Sequence, residues 1–289
     1  MIYIIIPVFN RWNFTQACLQ SLQKQSFTSF KIILVDHGST DNTSTLVKEF
    51  YPEVILVQGS NQLWWTGATN LGIRHVLESY HVSDDDFILT LNNDLVVESD
   101  YLVKIIDTYQ QNLPCVVGSL SVDINSPDDV DYAGTQWKPS TAKYNKLKTK
   151  FPKVSLIRQL NLSYINSDLL PGRGTLFPMF CFKKLGLFDE LNFPHYVADE
   201  DYSLLCHRNG FKLIVSTHAV VYSHTNATGI GLKNELSFID FFKSFRSIRS
   251  SNNFKRRWLW ARKNVSNPIL YTVFDYSRII GSYFKSKWS

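Results

Sequence analysis

The stretch IYIIIPVFNR, Ile2–Arg11, joins a continuous apolar run to a polar turn. Ile2–Pro7 is apolar at every position, as is typical of a strand buried on both faces of a parallel sheet. The same succession recurs where Lys31–Val35 leads into Asp36, and where Phe87–Leu91 leads into NND at 92–94. Because the carboxyl ends of parallel strands meet at one edge of a sheet, we expect these polar segments to share a crevice.

Strands and helices alternate along the rest of the chain. Apolar residues at helical spacing predict helices over Asn13–Gln25, Asp41–Phe50, Thr66–Tyr80, Val96–Gln111, Met179–Leu187 and Tyr202–Asn209. Short apolar runs predict further strands over Val54–Val57, Cys115–Ser121 and Phe211–Tyr222. Polar Ser126–Phe151 favours an irregular or acceptor-facing insertion, and Pro171–Pro178 favours a turn. The alternation predicts an α/β fold with a doubly wound, mainly parallel, Rossmann-like sheet.

The composition excludes several classes of protein. With 44% hydrophobic residues, the chain has ample material for a packed core, so disorder is a poor interpretation. Its four cysteines are widely spaced and include no CxxC pair, which argues against a zinc site and suits a reducing cytoplasm. No apolar stretch reaches the ~20 residues that a membrane span needs. We expect a cytoplasmic protein, free or peripheral on the inner face of the plasma membrane.

Two of the polar segments suggest a nucleotide and a cation. Asn92, Asn93 and Asp94 offer oxygen atoms to a hard divalent cation beside a diphosphate, although such residues also form ordinary turns. Asp36 ends a buried strand and can accept hydrogen bonds from a base or ribose. The following GSTD, 38–41, suits either a nearby anion or simple helix capping.

The segment NQLWWTGATNLG, 61–72, combines small residues, amides and a tryptophan pair. Asn61 opens the segment, Gly67 permits close backbone approach, and Asn70 on the first helical turn is expected to point into the crevice. Trp64 and Trp65 are equally explained as core anchors, which is the commoner role of tryptophan.

An acidic cluster supplies candidates for a general base. Asp199, Glu200 and Asp201 lie between apolar neighbours, so at least one of them must point inward. A half-buried carboxylate beside a substrate hydroxyl is a plausible base, whereas adjacent acids on a solvated helix start are the ordinary alternative. His224 ends the next predicted strand, at the same expected edge of the sheet.

The order of these motifs resembles that of the family 2 inverting glycosyltransferases with the GT-A fold. Five segments carry the resemblance, which spans roughly residues 2–226: PVFNR at 7–11, VDHGSTD at 35–41, NND at 92–94, LGLFDE at 185–190 and ADEDY at 198–202. Residues 61–73 are similar, more weakly, to the rhamnosyltransferase-like enzymes of bacterial cell-surface polysaccharide assembly. The resemblance implies transfer of a sugar from a nucleotide-sugar, a UDP- or dTDP-sugar, to a glycan or lipid-linked saccharide acceptor.

The resemblance also implies roles for single residues. Asp199 would be the base, with Asp201 as the second candidate, and Asp94 with His224 would hold Mg²⁺ or Mn²⁺. The donor-binding set would be Pro7, Phe9, Arg11, Asp36, Asn61, Gly67, Asn70, Asn92, Asn93 and Arg173. This sequence departs from the family pattern at His37, Asn92 and Leu205.

The last part of the chain differs from the rest. We predict a catalytic domain over 1–232, with a nucleotide-sugar half (1–112) and an acceptor half (113–232), followed by a helical tail over 233–289. Aromatic and basic residues alternate in the tail, which favours an anionic membrane surface. The alternative is a helical appendage packed on the catalytic domain or on a second subunit, as in a homodimer. No nucleic-acid recognition fold accompanies it. A non-catalytic nucleotide- or glycan-binding partner and, less favoured, a sugar nucleotidyltransferase remain alternative functions.

Overall fold

A mixed β-sheet lies at the centre of the protein in the computed structural model, which describes residues 1–224 and 237–288. The strands are β1 (Ile2–Val8), β2 (Phe30–Asp36), β3 (Ile55–Gln58), β4 (Phe87–Thr90), β5 (Leu95–Val97), β6 (Cys115–Asp123), β7 (Ser126–Tyr132), β8 (Thr135–Lys138), β9 (Lys143–Lys146), β10 (Tyr164–Asn166), β11 (Thr175–Pro178) and β12 (Lys212–Ser223). The α-helices are α1 (Trp12–Gln23), α2 (Thr43–Phe50), α3 (Trp64–Ser79), α4 (Tyr101–Gln110), α5 (Val154–Gln159), α6 (Met179–Leu185), α7 (Ala198–Arg208), α8 (Phe238–Ser244), α9 (Phe254–Asn264) and α10 (Pro268–Trp288).

The sheet confirms the predicted α/β architecture. Its order is β10-β12-β6-β11-β4-β1-β2-β3, and β4, β1, β2 and β3 run parallel. β6 and β12 are parallel to each other, and β11 runs antiparallel between β6 and β4. The carboxyl ends of β1, β2, β4, β6 and β12 therefore lie at one edge of the sheet. Helices cover both faces and bury two apolar layers against it.

Several predicted elements differ from the observed ones. The helix predicted from Val96 begins at Tyr101, because Leu95–Val97 pairs with the end of β12 as a short strand. Residues 126–151 are not irregular: they form β7 against β6 and the β8–β9 hairpin. Thr175–Pro178, predicted as part of a turn, is a buried strand paired on both sides.

The described tail, residues 237–288, packs against the catalytic part of the chain. Lys263 and Asn264 bind the carboxylate of Asp201 at 2.7 and 3.0 Å. Trp260 packs against Trp137 of the β8–β9 hairpin, with ring centres 5.5 Å apart. The predicted domain boundary at 232/233 lies outside the described residues. No helix in the described part of the chain is both long and apolar enough to cross a membrane.

Candidate active site

The turns after β1 and β2 are joined by hydrogen bonds. The backbone N–H of Asn10 donates to Ser39 Oγ at 2.7 Å, and Asn10 Oδ1 accepts from the N–H of Thr40 at 2.7 Å. The N–H of Trp12, at the start of α1, donates to Asp41 Oδ2 at 3.0 Å. These bonds hold the two strand ends in one arrangement.

Asp36 is the organising group of the second turn. It is 2% exposed, and its Oδ1 accepts from the N–H groups of Gly38 and Ser39 at 3.2 and 2.8 Å. Its Oδ2 accepts from the hydroxyl of Ser44. Asp36, predicted to bind the base directly, therefore holds the shape of the loop that would meet a nucleotide.

A cavity of about 370 Å³ opens beside this loop. It is lined by Phe9, His37, Asn61, Gln62, Trp64 and Arg249. The rings of Phe9 and His37 stack with centres 5.4 Å apart, and Trp64 contacts His195 with centres 5.4 Å apart. Flat aromatic walls and amide side chains suit a nucleobase, which stacks and offers hydrogen-bonding edges. Phe9 and Asn61 were predicted to bind the donor and do lie in this cavity.

Two imidazoles have unused hydrogen-bonding atoms here: His37 lines the cavity, and His195 packs against Trp64 of its wall. Nδ1 of His37 and Nδ1 of His195 are buried and make no hydrogen bond to the described residues. Burial lowers the pKa of His37 despite the charge of Asp36 beside it, and burial lowers the pKa of His195, assisted by the positive field of His37 and Arg249. Both rings are therefore neutral at physiological pH. A buried polar atom without a partner calls for an explanation, such as a bound ligand, ion or water.

The predicted metal segment follows β4 and faces the start of α1. Asp94 has a side chain only 10% exposed, and its Oδ2 lies 3.8 Å from a guanidinium nitrogen of Arg11. His224, at the end of β12, contacts Phe14 with ring centres 4.8 Å apart. The amide of Asn93 donates to Thr15 Oγ1 at 2.9 Å. The start of helix α1 thus contacts both predicted metal ligands, Asp94 and His224, which are far apart in sequence.

Asp94 and His224 alone supply too few metal-ligating atoms for a cation, so a bound ligand would have to provide the others. Among the described residues, no cluster of three or more His, Cys, Asp or Glu side chains is arranged to hold a metal. Asp94 and His224 supply one carboxylate and one imidazole, leaving most positions to phosphate oxygens and water. Mg²⁺ is usually bound in this manner, through one or two carboxylates plus substrate phosphates.

Trp65 connects this segment to the acidic cluster. Its indole Nε1–H donates to Asn92 Oδ1 at 3.0 Å. A Cβ added to Gly172 would lie 2.3 Å from the Trp65 ring, so only glycine permits this approach. The N–H of Gly172 in turn donates to Asp199 Oδ2 at 2.7 Å. Trp65, which the sequence left open as a core anchor, therefore positions the site.

Asp199 and Glu200 form a half-buried carboxylate pair in the first turn of α7. Burial raises the pKa of Asp199, while hydrogen bonds from backbone N–H groups and the charge of Arg173 partly offset the effect. Burial, followed by the negative charge of Asp199, raises the pKa of Glu200 to about 8. Glu200 is therefore mostly protonated at pH 7, and Asp199 is the member of the pair that accepts the backbone hydrogen bonds. An ionised carboxylate in a half-buried position is what a general base requires.

The side chains of three other predicted site residues, Asp201, Arg173 and Asn70, form hydrogen bonds with other residues of the protein. Asp201 is 3% exposed and is bound by Lys263 and Asn264 of the tail. The guanidinium of Arg173, predicted to face phosphates, binds Asp131 Oδ2 at 2.6 Å. Asn70 does not point into the crevice as predicted, since it is buried and bonds to Phe188 and Glu190.

Gly67 and Pro7 are also part of the framework. A Cβ at Gly67 would lie 3.2 Å from the Leu63 side chain, so this glycine permits packing within α3. Pro7 is buried within β1, in register with Val35 of β2. Both residues position their neighbours in the site, and the structure gives neither of them a contact to the cavity.

Strained backbone conformations surround the site. Asn10 and Arg11 have φ angles of 58° and 67°, Trp64 has 53°, and Val197, just before the acidic cluster, has 78°. A left-handed conformation costs a side-chain-bearing residue roughly 1–2 kcal/mol, most of all a β-branched or bulky one. Strain of this kind is concentrated at ligand clamps and active sites.

Sequence reasoning missed three contributors to the site. His195 and Arg249 come from a loop and from the tail, and no local pattern connects either with β1 or β2. Gln62 was overlooked within a segment that had been singled out. The positive-φ residues left no signal either, because Trp64 and Val197 are not residues that favour this conformation.

The comparisons with known proteins agree with this geometry. The family model described as glycosyl transferase family 2 matches residues 3–167, more than half of the chain. The chain belongs to glycosyl transferase family 2. It is 28% identical over 211 residues to an uncharacterised glycosyltransferase of Rickettsia prowazekii, covering 68% of this chain and 56% of that protein. It is 30% identical over 120 residues to the glycosyltransferase GlyA of Streptococcus pneumoniae, covering 39% and 16%.

Solved structures confirm the GT-A fold of this family 2 glycosyltransferase. TarS of S. aureus in complex with UDP superposes with a TM-score of 0.53 at 15% identity, covering 90% of this chain and 70% of that one. GalNAc-T7 with UDP, GalNAc and Mn²⁺ superposes with a TM-score of 0.61 at 12% identity, covering 98% and 55%. The chain spans little more than half the length of the Rickettsia relative.

Proposed function

We propose that this family 2 glycosyltransferase is an inverting, metal-dependent enzyme of bacterial cell-surface polysaccharide assembly. It moves a hexosyl or deoxyhexosyl group from a UDP- or dTDP-sugar to a glycan or lipid-linked saccharide. The observation that carries the proposal is the connected path from Asn92 through Trp65 and Gly172 to Asp199. It joins a segment suited to a diphosphate-bound cation to a half-buried carboxylate, and the UDP and Mn²⁺ of the solved relatives support the donor.

The proposed reaction is a single displacement at the anomeric carbon. The acceptor hydroxyl gives its proton to Asp199 while its oxygen attacks the anomeric carbon, and the bond from that carbon to the diphosphate oxygen breaks on the opposite face. The nucleoside diphosphate leaves and the anomeric centre inverts. Arg11, which lies beside Asp94, contributes positive charge near the leaving group. When bound by Asp94 and His224, Mg²⁺ or Mn²⁺ would supply further charge stabilisation to the diphosphate.

A donor screen tests this proposal. Purified protein with Mn²⁺ is incubated with UDP-, dTDP- and GDP-sugars, and nucleotide release is measured. We expect one donor to be turned over and Asp94→Asn to lower that turnover at least ~100-fold, because the diphosphate loses its charge stabilisation. Asp107→Asn, an exposed carboxylate on α4, is the matched control and is expected to behave as wild type. Binding without turnover would leave two explanations, a missing lipid acceptor or a non-catalytic binding partner, and no response to any nucleotide would overturn the proposal.

The tail supports a membrane-facing role within the same proposal. Residues 237–288 contain eleven Lys or Arg residues and two carboxylates, a net charge of +9. Ile269 and Val273, one helical turn apart on α10, are 68% and 56% exposed, and they line an apolar groove with Phe254 and Trp258. Exposed apolar residues within a basic surface are typical of a helix that lies on an anionic bilayer.

Vesicle flotation tests the membrane role. We expect the protein to float with phosphatidylglycerol-containing vesicles and to remain behind with neutral phosphatidylcholine vesicles. Ile269→Ser/Val273→Ser should lower partitioning about 10-fold, because two apolar side chains lose their burial in the lipid. Phe50→Ser, which changes an exposed phenylalanine at the end of α2, is the control and should leave partitioning unchanged. A different result would assign this face to a second copy of the chain: the wild type does not float and sediments as a dimer, and the double variant sediments as a monomer.

A further inference from the structure

The tail places one cation, Arg249, at the cavity beside the Asp36 loop, which we call the nucleotide cavity. Its guanidinium carbon lies 5.6 Å from the centre of the Trp64 ring, and the residue lines the cavity together with Phe9 and His37. A guanidinium stacked on an aromatic face is held in place while its N–H groups stay available to a ligand. Arg249 lies 185 residues beyond Trp64 in the chain, so its position depends on the packing of the tail.

The loop that carries Arg249 is rigidly built. The N–H of Phe254 donates to the carbonyl of Phe245 at 2.8 Å and closes residues 245–254 into a loop. Within it, Ser247 Oγ accepts from the N–H of Arg249 at 3.2 Å, and the side-chain amide of Asn253 donates to the carbonyl of Ser247 at 3.1 Å. Serine and asparagine side chains that bond to nearby backbone groups define such loops. The serine- and asparagine-rich sequence at 247–253 is therefore ordered at the place where it meets the cavity.

The anchoring of the next helix fixes the loop against the site. Arg256, in the first turn of α9, donates to the carbonyls of Leu191 and Asn192 at 3.2 and 2.5 Å. The carbonyl of Pro194, two residues further on, accepts from the N–H of Thr66 in α3 at 3.1 Å. Residues 191–194 thus connect the tail to the helix that carries Trp64.

The cavity is electrostatically suited to an anion. None of the described residues that line it carries a carboxylate. Helix α3 begins at Trp64, beside the cavity, and its own first turn contains no acidic residue, so its N-terminal dipole adds positive potential there. Trp65, the next residue, is hydrogen-bonded to Asn92 beside Asp94. Trp64 and Trp65 therefore connect the nucleotide cavity to residues 92–94, the segment predicted to meet the diphosphate.

We propose that Arg249 binds the diphosphate of the nucleotide-sugar, so that the tail completes the donor site. This inference rests on the proposed function and specifies which residue of the tail the donor contacts. A planar guanidinium can engage two phosphate oxygens at once. Donor binding then requires a correctly packed tail, and the tail couples the donor site to the membrane-facing helices.

Binding measurements on the full chain test the inference. Isothermal titration with Mn²⁺ present compares UDP with uridine, and dTDP with thymidine, for wild type, Arg249→Gln and Arg249→Lys. We expect Arg249→Gln to weaken binding of the preferred diphosphate about 10-fold and to leave the nucleoside within twofold. Arg249→Lys should retain an intermediate affinity, because it keeps the charge but not the fork geometry. Added salt should weaken the wild type more than Arg249→Gln.

Arg246→Gln is the matched control. Arg246 is an exposed cation of the same loop that lines a different groove, so its loss should change diphosphate affinity less than twofold. If both variants bind the diphosphate equally weakly, the effect comes from the general positive charge of the tail, and the inference is overturned. Wild-type affinity in Arg249→Gln, or an equal loss for the nucleoside, would also overturn it while the proposed function stands. Failure of wild type to bind any nucleoside diphosphate would instead overturn the proposed function, and the inference with it.

Discussion

Asp199→Asn is expected to lower the rate of sugar transfer about 1000-fold. The amide cannot take the proton of the acceptor hydroxyl, and loss of a positioned general base typically costs 10²- to 10⁴-fold. The substitution keeps the shape of the side chain and an oxygen that can accept from the N–H of Gly172. Binding of the nucleoside diphosphate should therefore stay within threefold of wild type. Initial rates of nucleotide release with the donor found by the screen, together with titration calorimetry, measure the two quantities.

Glu200→Gln separates the two members of the carboxylate pair. Because the pKa of Glu200 is raised to about 8, this residue is mostly protonated at pH 7, and its replacement by a neutral amide should cost less than tenfold. The pKa of Asp199 is also raised, so the base loses its proton only above the range of an ordinary carboxylate. The wild-type rate should fall as the pH is lowered through that raised pKa. A larger loss in Glu200→Gln than in Asp199→Asn would show that the base has been misassigned.

The strand ends were predictable because they depend on local sequence. A continuous apolar run followed by a polar turn identifies a buried parallel strand and its carboxyl end, and Asp36, Asp94 and His224 were placed at one edge on that basis. The observed sheet places the carboxyl ends of the strands that precede them at one edge, and Val8 of β1 is in register with Asp36 of β2. The same reasoning predicted the fold class and located the main strands along the chain, but it did not predict their order in the sheet.

What the sequence could not predict depends on tertiary partners. Leu95–Val97 is a strand because β12 lies beside it, not because three residues have a strong preference of their own. Asp201 and Asp199 have the same side chain two positions apart, yet one is bound by Lys263 of the tail and the other by the N–H of Gly172. Only the packing of distant segments distinguishes an anchor from a candidate base. The placement of Arg249 has the same origin.

Asp275→Ala is expected to lower the free energy of unfolding by about 3–5 kcal/mol, because it leaves buried guanidinium charge without its partner. Asp275 is 0% exposed and binds Arg257 and, at 2.6 Å, Arg278. For a chain of this size such a loss corresponds to a fall in Tm of roughly 10 °C. Thermal unfolding followed by circular dichroism measures it.

Asp240→Ala is the control, because it removes the same charge from an exposed ion pair instead of a buried one. Asp240 also pairs with a cation of the tail, Lys243, but both side chains are more than half exposed, so its loss should change the free energy of unfolding much less than the loss of Asp275. Similar destabilisation by the two substitutions would contradict the assignment of Asp275 as a buried anchor. Arg257 also donates to the carbonyl of Ser251, in the loop that carries Arg249, at 2.7 Å. If the Arg257–Asp275 pair holds this loop, Asp275→Ala should weaken diphosphate binding as well as the fold, even at temperatures where the protein remains folded.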